Sequence, residues 1–337
     1  MMRFFDIGSS HQRSSHQRSS HQRSSHEHSS RRHSSHRHSS TVKLTDLPGV
    51  DGLSGVRKGE TVHVAPGTMD VMRLMNKAIQ DTQEIVLDYG SGNQEHDIID
   101  SNGRSYSRTK ALRDYTNRTG KSSPVIAAQF RAGNCGEMAQ VSAALAAFRG
   151  SDWPISIASA LDMDHEFIVA GDHRDPRYVS GGNHLVIGDA WPLYGRADTV
   201  DNFKTSTRFE LVHTYSPNSN NPAEMREILN AKDIAKKYME KHPNKKYSYN
   251  AADALREMGS HTYSHLTSAG DISRRYEGAD KSGKHRVVRH EVSKARAEEG
   301  ENRRKAATEF RAAERERRAE RERRAERGHG RHSRSGR

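Results

Sequence analysis

Gly133-Asn134-Cys135-Gly136-Glu137-Met138-Ala139 runs from a turn sequence straight into a helix, with the chain's only cysteine at the helix start. The spacing predicts a helix over Gly136–Phe148, because Met138, Val141, Leu145 and Phe148 follow one another at +3, +4 and +3. Its many alanines permit close packing against a sheet. At a helix N-terminus the free amide groups and the positive end of the dipole favour a thiolate over a thiol. A single cysteine also excludes an intramolecular disulfide, and thiol chemistry suits a reducing compartment.

Downstream, Ile155–Ala160, His165–Ala170 and His184–Gly188 read as strands, punctuated by Pro154, Gly171-Asp172, Asp175-Pro176 and Gly181-Gly182. Arg208–His213 adds a fourth. Strand alternation puts His165 on the face of Phe167 and Val169, and Asp189 on the face of Leu185 and Ile187. A histidine and an aspartate on apolar faces need partners, and the simplest are each other and the thiol. His184 is the rival base, but it lies five residues from Asp189 on the same predicted strand and would face the other way. Glu137 would raise the thiol pKa if it faced Cys135, so it must point away or pair with a cation.

Upstream, Asp70–Leu87 reads as a helix capped by Asp70, and Ser107–Thr116 as a more polar one. Further helices are expected over Ala223–Tyr238 and Ala251–Met258. One helix precedes a run of strands without regular βαβ alternation, so the fold class is α+β. Ile85-Val86-Leu87-Asp88-Tyr89-Gly90-Ser91-Gly92-Asn93 looks like the first motif of a methyltransferase, an apolar strand feeding a glycine turn. A later glycine is missing, and no βαβ alternation follows.

The flanks differ from this middle. Apolar residues make up 32 % of the chain, and the mean hydropathy is −0.98, low for a chain folded throughout. The net charge of +12 divides into +5 for residues 1–40, −3 for residues 41–280 and +10 for residues 281–337. Basicity thus belongs to the ends, which argues against the mildly acidic middle as a nucleic-acid binder. Residues 9–40 repeat Ser-Ser-His-Gln-Arg and hold eight histidines but nothing apolar. They read as a disordered polar leader, with metal binding the alternative. Arg311–Arg327 has Glu and Arg three or four apart and no a/d stripe, so it reads as a charged solvated helix. Its alternative is a tail for an anionic partner, nucleic acid or membrane. No run of 18 apolar residues suggests a transmembrane helix, and the start is too polar for a secretory signal.

A thiol, an imidazole and a carboxylate suffice for acyl transfer, without cofactor or metal. The thiol attacks a carbonyl carbon, the imidazole moves the proton, and the carboxylate fixes and supports the imidazole. Asn134-Cys135-Gly136-Glu137-Met138-Ala139 resembles the nucleophile motif of the transglutaminase-like, papain-like superfamily, in which Gly-x-Cys-Gly-Glu opens the central helix. His165-Glu166-Phe167 is similar to that family's His-x-aromatic strand. Gly188-Asp189-Ala190-Trp191-Pro192 is similar to its Asp-Pro-Trp strand end, departing at Ala190. The resemblance spans Gln129–Pro192. It implies a central helix carrying Cys135 packed on an antiparallel sheet carrying His165 and Asp189, between disordered tails. It also implies an oxyanion hole from the Cys135 N–H, with Gln129 at the offset of the papain-like glutamine.

The expected organisation is a leader over residues 1–40, acting as an export signal, a catalytic domain over 41–280 and a charged tail over 281–337. The Ser-rich leader resembles those of type III secreted effectors, and among superfamily members the AvrPphE/HopX kind is the nearest. The expected activity is that of a cysteine protease, deamidase or transglutaminase on a host or target protein. Its expected location is the host cell, reached without a signal peptide, or else the bacterial cytoplasm. A non-enzymatic interaction protein with basic tails and a merely structural thiol is the alternative. Alanine at Cys135, His165 or Asp189 is expected to abolish activity and leave folding intact.

Overall fold

The computed structural model describes residues 42–43, 61–161, 163–178, 183–192, 195–200, 208–243, 246–259, 263, 274–290, 305 and 308–324. The leader, with its histidines, lies outside them. The fold is α+β. A six-stranded antiparallel sheet is built from β1 (Val42–Lys43), β3 (Ile155–Ala160), β4 (Glu166–Ala170), β5 (Val186–Asp189), β6 (Arg196–Thr199) and β7 (Arg208–Tyr215). Its order is β1-β7-β3-β4-β5-β6. A three-stranded sheet joins β2 (Thr61–His63), β8 (Arg274–Ala279) and β9 (His285–His290), with β2 parallel to β8.

The helix that begins at the thiol, α5 (Cys135–Phe148), packs against β3, β4 and α1 (Pro66–Asp81). Its burial is broader than the predicted stripe. Ala143, Ala144 and Ala146 are as completely buried as Val141 and Leu145. Alanine on the remaining faces lets the helix be enclosed on all sides from Val141 to Phe148, and polar exposure is confined to its first turns at Glu137 and Gln140. Met69, Met72 and Met75 of α1 are fully buried in the same core, and the Thr82 hydroxyl lies 2.9 Å from the Ser142 hydroxyl. The sheet residues divide by alternation. Ile168, Ala170 and Val186 join the α5 core, while Phe167, Val169, Leu185 and Ile187 form a second cluster with Phe209.

Gly188 marks where α1 meets the sheet. A Cβ there would lie 2.8 Å from Met75 Cε and 3.0 Å from Ile79 Cδ1 and Ile168 Cγ1. Gly188→Ala is therefore expected to destabilise the fold by roughly 1–3 kcal/mol through overpacking. Urea unfolding with an unchanged midpoint would contradict this contact.

Several elements depart from the sequence reading. The first helix starts at Pro66, behind Ala65, so Asp70 lies inside it and accepts from the Lys281 N–H at 3.0 Å. Proline at the first helical position supplies the start that Asp70 was expected to give. The helix ends at Asp81, and Thr82–Val86 form a π-turn. Ile85 and Val86 are thus helical, and the strand of the methyltransferase-like motif is not formed. The polar helix α3 spans Arg104–Thr119, and α2 (Glu95–Asp100) and α4 (Pro124–Phe130) are additional. The expected helix over Ala223–Tyr238 is two, α6 (Pro222–Leu229) and α7 (Ala235–Lys241). Asp233 separates them: its carboxylate accepts from the Ala235 N–H at 3.0 Å and pairs with Arg108 at 2.8 Å. Helix α8 spans Ala251–Met258, as expected.

Residue 280, where the sequence reading ends the domain, opens the turn between β8 and β9. Asp280 Oδ1 accepts from the Ser282 and Lys284 N–H groups, both at 3.0 Å, and Oδ2 accepts from Arg286 at 2.6 Å. Residues 308–324 form a helix, α9. Phe310 packs with Ile98, Tyr249 and Ala254, Arg311 pairs with Glu95, and Arg256 donates to Glu314 at 3.0 Å. One aromatic residue and two ion pairs thus dock a helix whose composition alone reads as fully solvated. Among the described residues no helix is long and apolar enough to cross a membrane.

Candidate active site

Cys135 is the first residue of α5 and is partly exposed. Asn134 precedes it in extended conformation, and its N–H donates to Glu137 Oε2 at 2.7 Å, an arm of a capping box. Glu137 thereby folds back onto the helix cap. Its other oxygen lies 3.8 Å from Arg113. The Arg113 cation thus meets the condition of a partner for its charge.

His165 immediately precedes β4 and Asp189 ends β5, neighbouring antiparallel strands with Ile168 opposite Gly188. Strand pairing brings the two side chains together over 24 residues of sequence. The His165 Nε2 to Asp189 Oδ2 distance is 2.7 Å, and both residues are buried, at 3 % and 1 % exposure. The second Asp189 oxygen accepts from the Trp191 N–H at 3.0 Å. With Nε2 engaged, Nδ1 is the ring nitrogen left for the thiol.

Burial opposes a charged imidazole here. The Asp189 carboxylate outweighs it by charge and hydrogen bond, the Cys135 thiol adds a further hydrogen bond, and His165 rises from 6.5 to about 10. The arrangement favours imidazolium beside sulfur. Burial likewise raises the Glu166 carboxyl, with help from the Glu137 charge. Burial raises the Tyr263 phenol, as do the charges of Asp164 and Cys135. Tyr263 thus shares the field of the thiol, and its ring meets that of Trp191 edge-on at 5.3 Å.

The raised imidazole carries a pH signature. Between about 6.5 and about 10 the folded chain holds a proton on His165 that an ordinary unfolded imidazole has released. The resulting stabilisation is complete below the lower value and is lost as pH rises through the upper one. In Cys135→Ala, where no thiol titrates and the Asp189 pairing alone is left to raise the imidazole, urea unfolding is expected to show stability falling above about 6.5, over a narrower window than in the parent. Adding His165→Gln is expected to flatten the profile. A flat profile before His165 is replaced would contradict a charged imidazole.

The structure brings Cys135, His165 and Asp189 together. His184, the rival base, lies apart: its N–H donates to Thr68 at 3.0 Å, before β5 begins. Gln129 lies on α4, and its carbonyl accepts from the Ile234 N–H at 3.0 Å. Among the described contacts, none joins the Gln129 side chain to Cys135 or His165. Residues that sequence reasoning did not assign also enter. The Trp191 indole N–H lies 3.2 Å from Ser91 Oγ and 3.1 Å from Asn93 Oδ1, and Gln94 donates to the Trp191 carbonyl. Ser91, Asn93 and Gln94 belong to the glycine turn of the methyltransferase-like stretch. Their signal was present, but it pointed to another chemistry. Tyr263 stands in no recognisable motif.

No match to the chain is found among protein-family models, characterised proteins or solved structures. The case for a function therefore rests on the geometry.

Proposed function

We propose that the chain is a cysteine-nucleophile hydrolase or acyl-transferase acting on a protein substrate, built on a transglutaminase-like, papain-like core. The observation that carries this reading is a buried imidazole shared between a carboxylate at 2.7 Å and the thiol at the start of α5. A buried His–Asp pair alone is compatible with a structural role. A pair whose imidazole also lies near enough to a partly exposed thiol at a helix N-terminus to be raised by it is placed to activate a nucleophile.

The Cys135 thiolate attacks the substrate carbonyl carbon, forming a C–S bond and an oxyanion. First-turn amides of a helix lack intrahelical partners, so the Cys135 N–H is available to that oxyanion. His165 passes its proton to the leaving amine as the C–N bond breaks, which leaves a thioester and a neutral imidazole. Water or an acceptor amine then attacks the thioester, its proton returns to His165, and the thiolate departs. Asp189 holds the ring and supports its positive charge throughout. Water as acceptor gives proteolysis or deamidation, and an amine gives crosslinking.

The Ser-rich leader supports a type III secreted effector of the AvrPphE/HopX kind, delivered into a host cell. The arginines of α9 not used in docking would face an anionic partner. Proteomics of cells expressing the parent or Cys135→Ala chain tests the reading. New termini, deamidated glutamines or isopeptide crosslinks confined to the parent are expected. Identical proteomes, together with a thiol inert at pH 6, would leave the interaction-protein reading in its place.

A further inference from the structure

We propose that the loop Gly90–Gln94, centred on Ser91, is a positioning element that registers the thiol half of the site against its imidazole–carboxylate half. The inference rests on the reading of Cys135, His165 and Asp189 as the reacting set, and it assigns a role to the glycine turn which that reading leaves unused.

The two halves come from different parts of the fold. The thiol rides on α5, while the imidazole and carboxylate ride on the ends of β4 and β5. Acyl transfer tolerates little error between them: misplacement by about 1 Å can cost on the order of 10²-fold in rate. The loop bonds both. On the thiol side, the Gly133 N–H donates to the Gly90 carbonyl at 3.3 Å, and the Ser91 hydroxyl lies 3.3 Å from Asn134 Oδ1, on the residue before Cys135. On the other side, the Trp191 indole N–H is shared between Ser91 Oγ and Asn93 Oδ1. The backbone of that tryptophan fixes Asp189 Oδ1, and its ring lies 5.3 Å from that of His165.

The loop is itself held. Ser91 has no exposed surface, its N–H donates to Asp97 Oδ2 at 2.6 Å, and its hydroxyl lies 2.6 Å from Asn93 Oδ1. Gly90 has φ +77°, and a Cβ there would stand 2.5 Å from Asp97 Cγ. Only glycine lets this turn close against the start of α2. A surface turn needs neither a fully buried serine nor bonds to both flanks of a reactive set. Ser91 acts through Trp191 and Asn134, so it is a positioning residue rather than a catalytic one.

The test is a double-mutant cycle in the full chain, Ser91→Ala with Trp191→Phe. It reads the His165 imidazole titration by NMR, assigned by comparison with His165→Gln, and the pH profile of Cys135 alkylation by iodoacetamide. Each single variant is expected to lower the proton affinity of His165, Trp191→Phe about tenfold and Ser91→Ala by less, because both remove the indole–Ser91 bond and Trp191→Phe also removes the Asn93 arm. The double variant is expected to fall no further than Trp191→Phe alone, since the Ser91 bond is already lost there. A Ser91→Ala chain with the parent's His165 titration and alkylation profile, whatever its melting temperature, would overturn the proposal. So would a double variant in which the two losses multiply. The titration reports on the Asp189–His165 arm even if the parent thiol proves inert, so a failed enzyme reading and a failed positioning role give different results.

Discussion

Replacing His165 with alanine is expected to slow alkylation of Cys135 at pH 6 by about 300-fold. The size follows from the thiolate fraction. An ordinary thiol titrates near 8.5, so at pH 6 only about one in 300 is ionised. In the parent, the imidazole beside the sulfur carries its charge up to about 10, so at pH 6 a cation stands next to the attacking atom. Without the cation, only the helix N-terminus remains to lower the thiol pKa, and its contribution is about 1 kcal/mol or less at an exposed end. Labelling with iodoacetamide, read by mass spectrometry at Cys135, measures the ratio. Equal rates in parent and variant would show that His165 does not activate the thiol.

Asp189→Asn is expected to give the second largest effect, and its sign depends on burial. Desolvation already pushes His165 down; the Asp189 carboxylate opposes it by charge and hydrogen bond, with smaller contributions from Cys135. An amide can still accept from Nε2–H and hold the ring, but it carries no charge. The imidazole is therefore expected to titrate in the ordinary range or below, leaving it neutral at pH 7. The cation beside the sulfur is then lost, and a fall of about 30-fold in alkylation rate at pH 7 is expected. NMR titration of His165 in the same variant checks the cause. An imidazole that stays charged near pH 9 without the carboxylate would refute it. Asp189→Ala differs: with Asp189 at 1 % exposure, it leaves the buried imidazole with an empty neighbour. Breaking a buried pair in this way costs roughly 3–5 kcal/mol. The expectation from sequence that alanine at this position leaves folding intact is thus revised.

The parts of this arrangement legible in the sequence are those set by local pattern. The turn-to-helix junction at Cys135 and the bounds of β3 and α8 follow from spacing and punctuation. The faces assigned to His165 and Asp189 follow from strand alternation, since Phe167, Val169, Leu185 and Ile187 share one cluster. Illegible were the elements whose reasons lie elsewhere in the chain. β6 is four residues, Arg196-Ala197-Asp198-Thr199, and becomes a strand by pairing with β5. β8 and β9 are rich in arginine and histidine, and their pattern carries too little apolar alternation to declare a strand. The loop at Ser91 resembled a nucleotide turn because Gly90 serves close approach to Asp97 and Gly92 to Thr109, which spacing alone cannot distinguish from close approach to a phosphate.

The most direct test is the pH–rate profile of iodoacetamide alkylation of Cys135 in the unmodified chain from pH 4 to 9. On the proposed reading a rate that has reached its plateau by pH 6 is predicted, because a charged imidazole stands beside the sulfur. A rate that climbs tenfold per pH unit through neutrality and levels off only near 8.5 would contradict the account, since that is the behaviour of an ordinary cysteine.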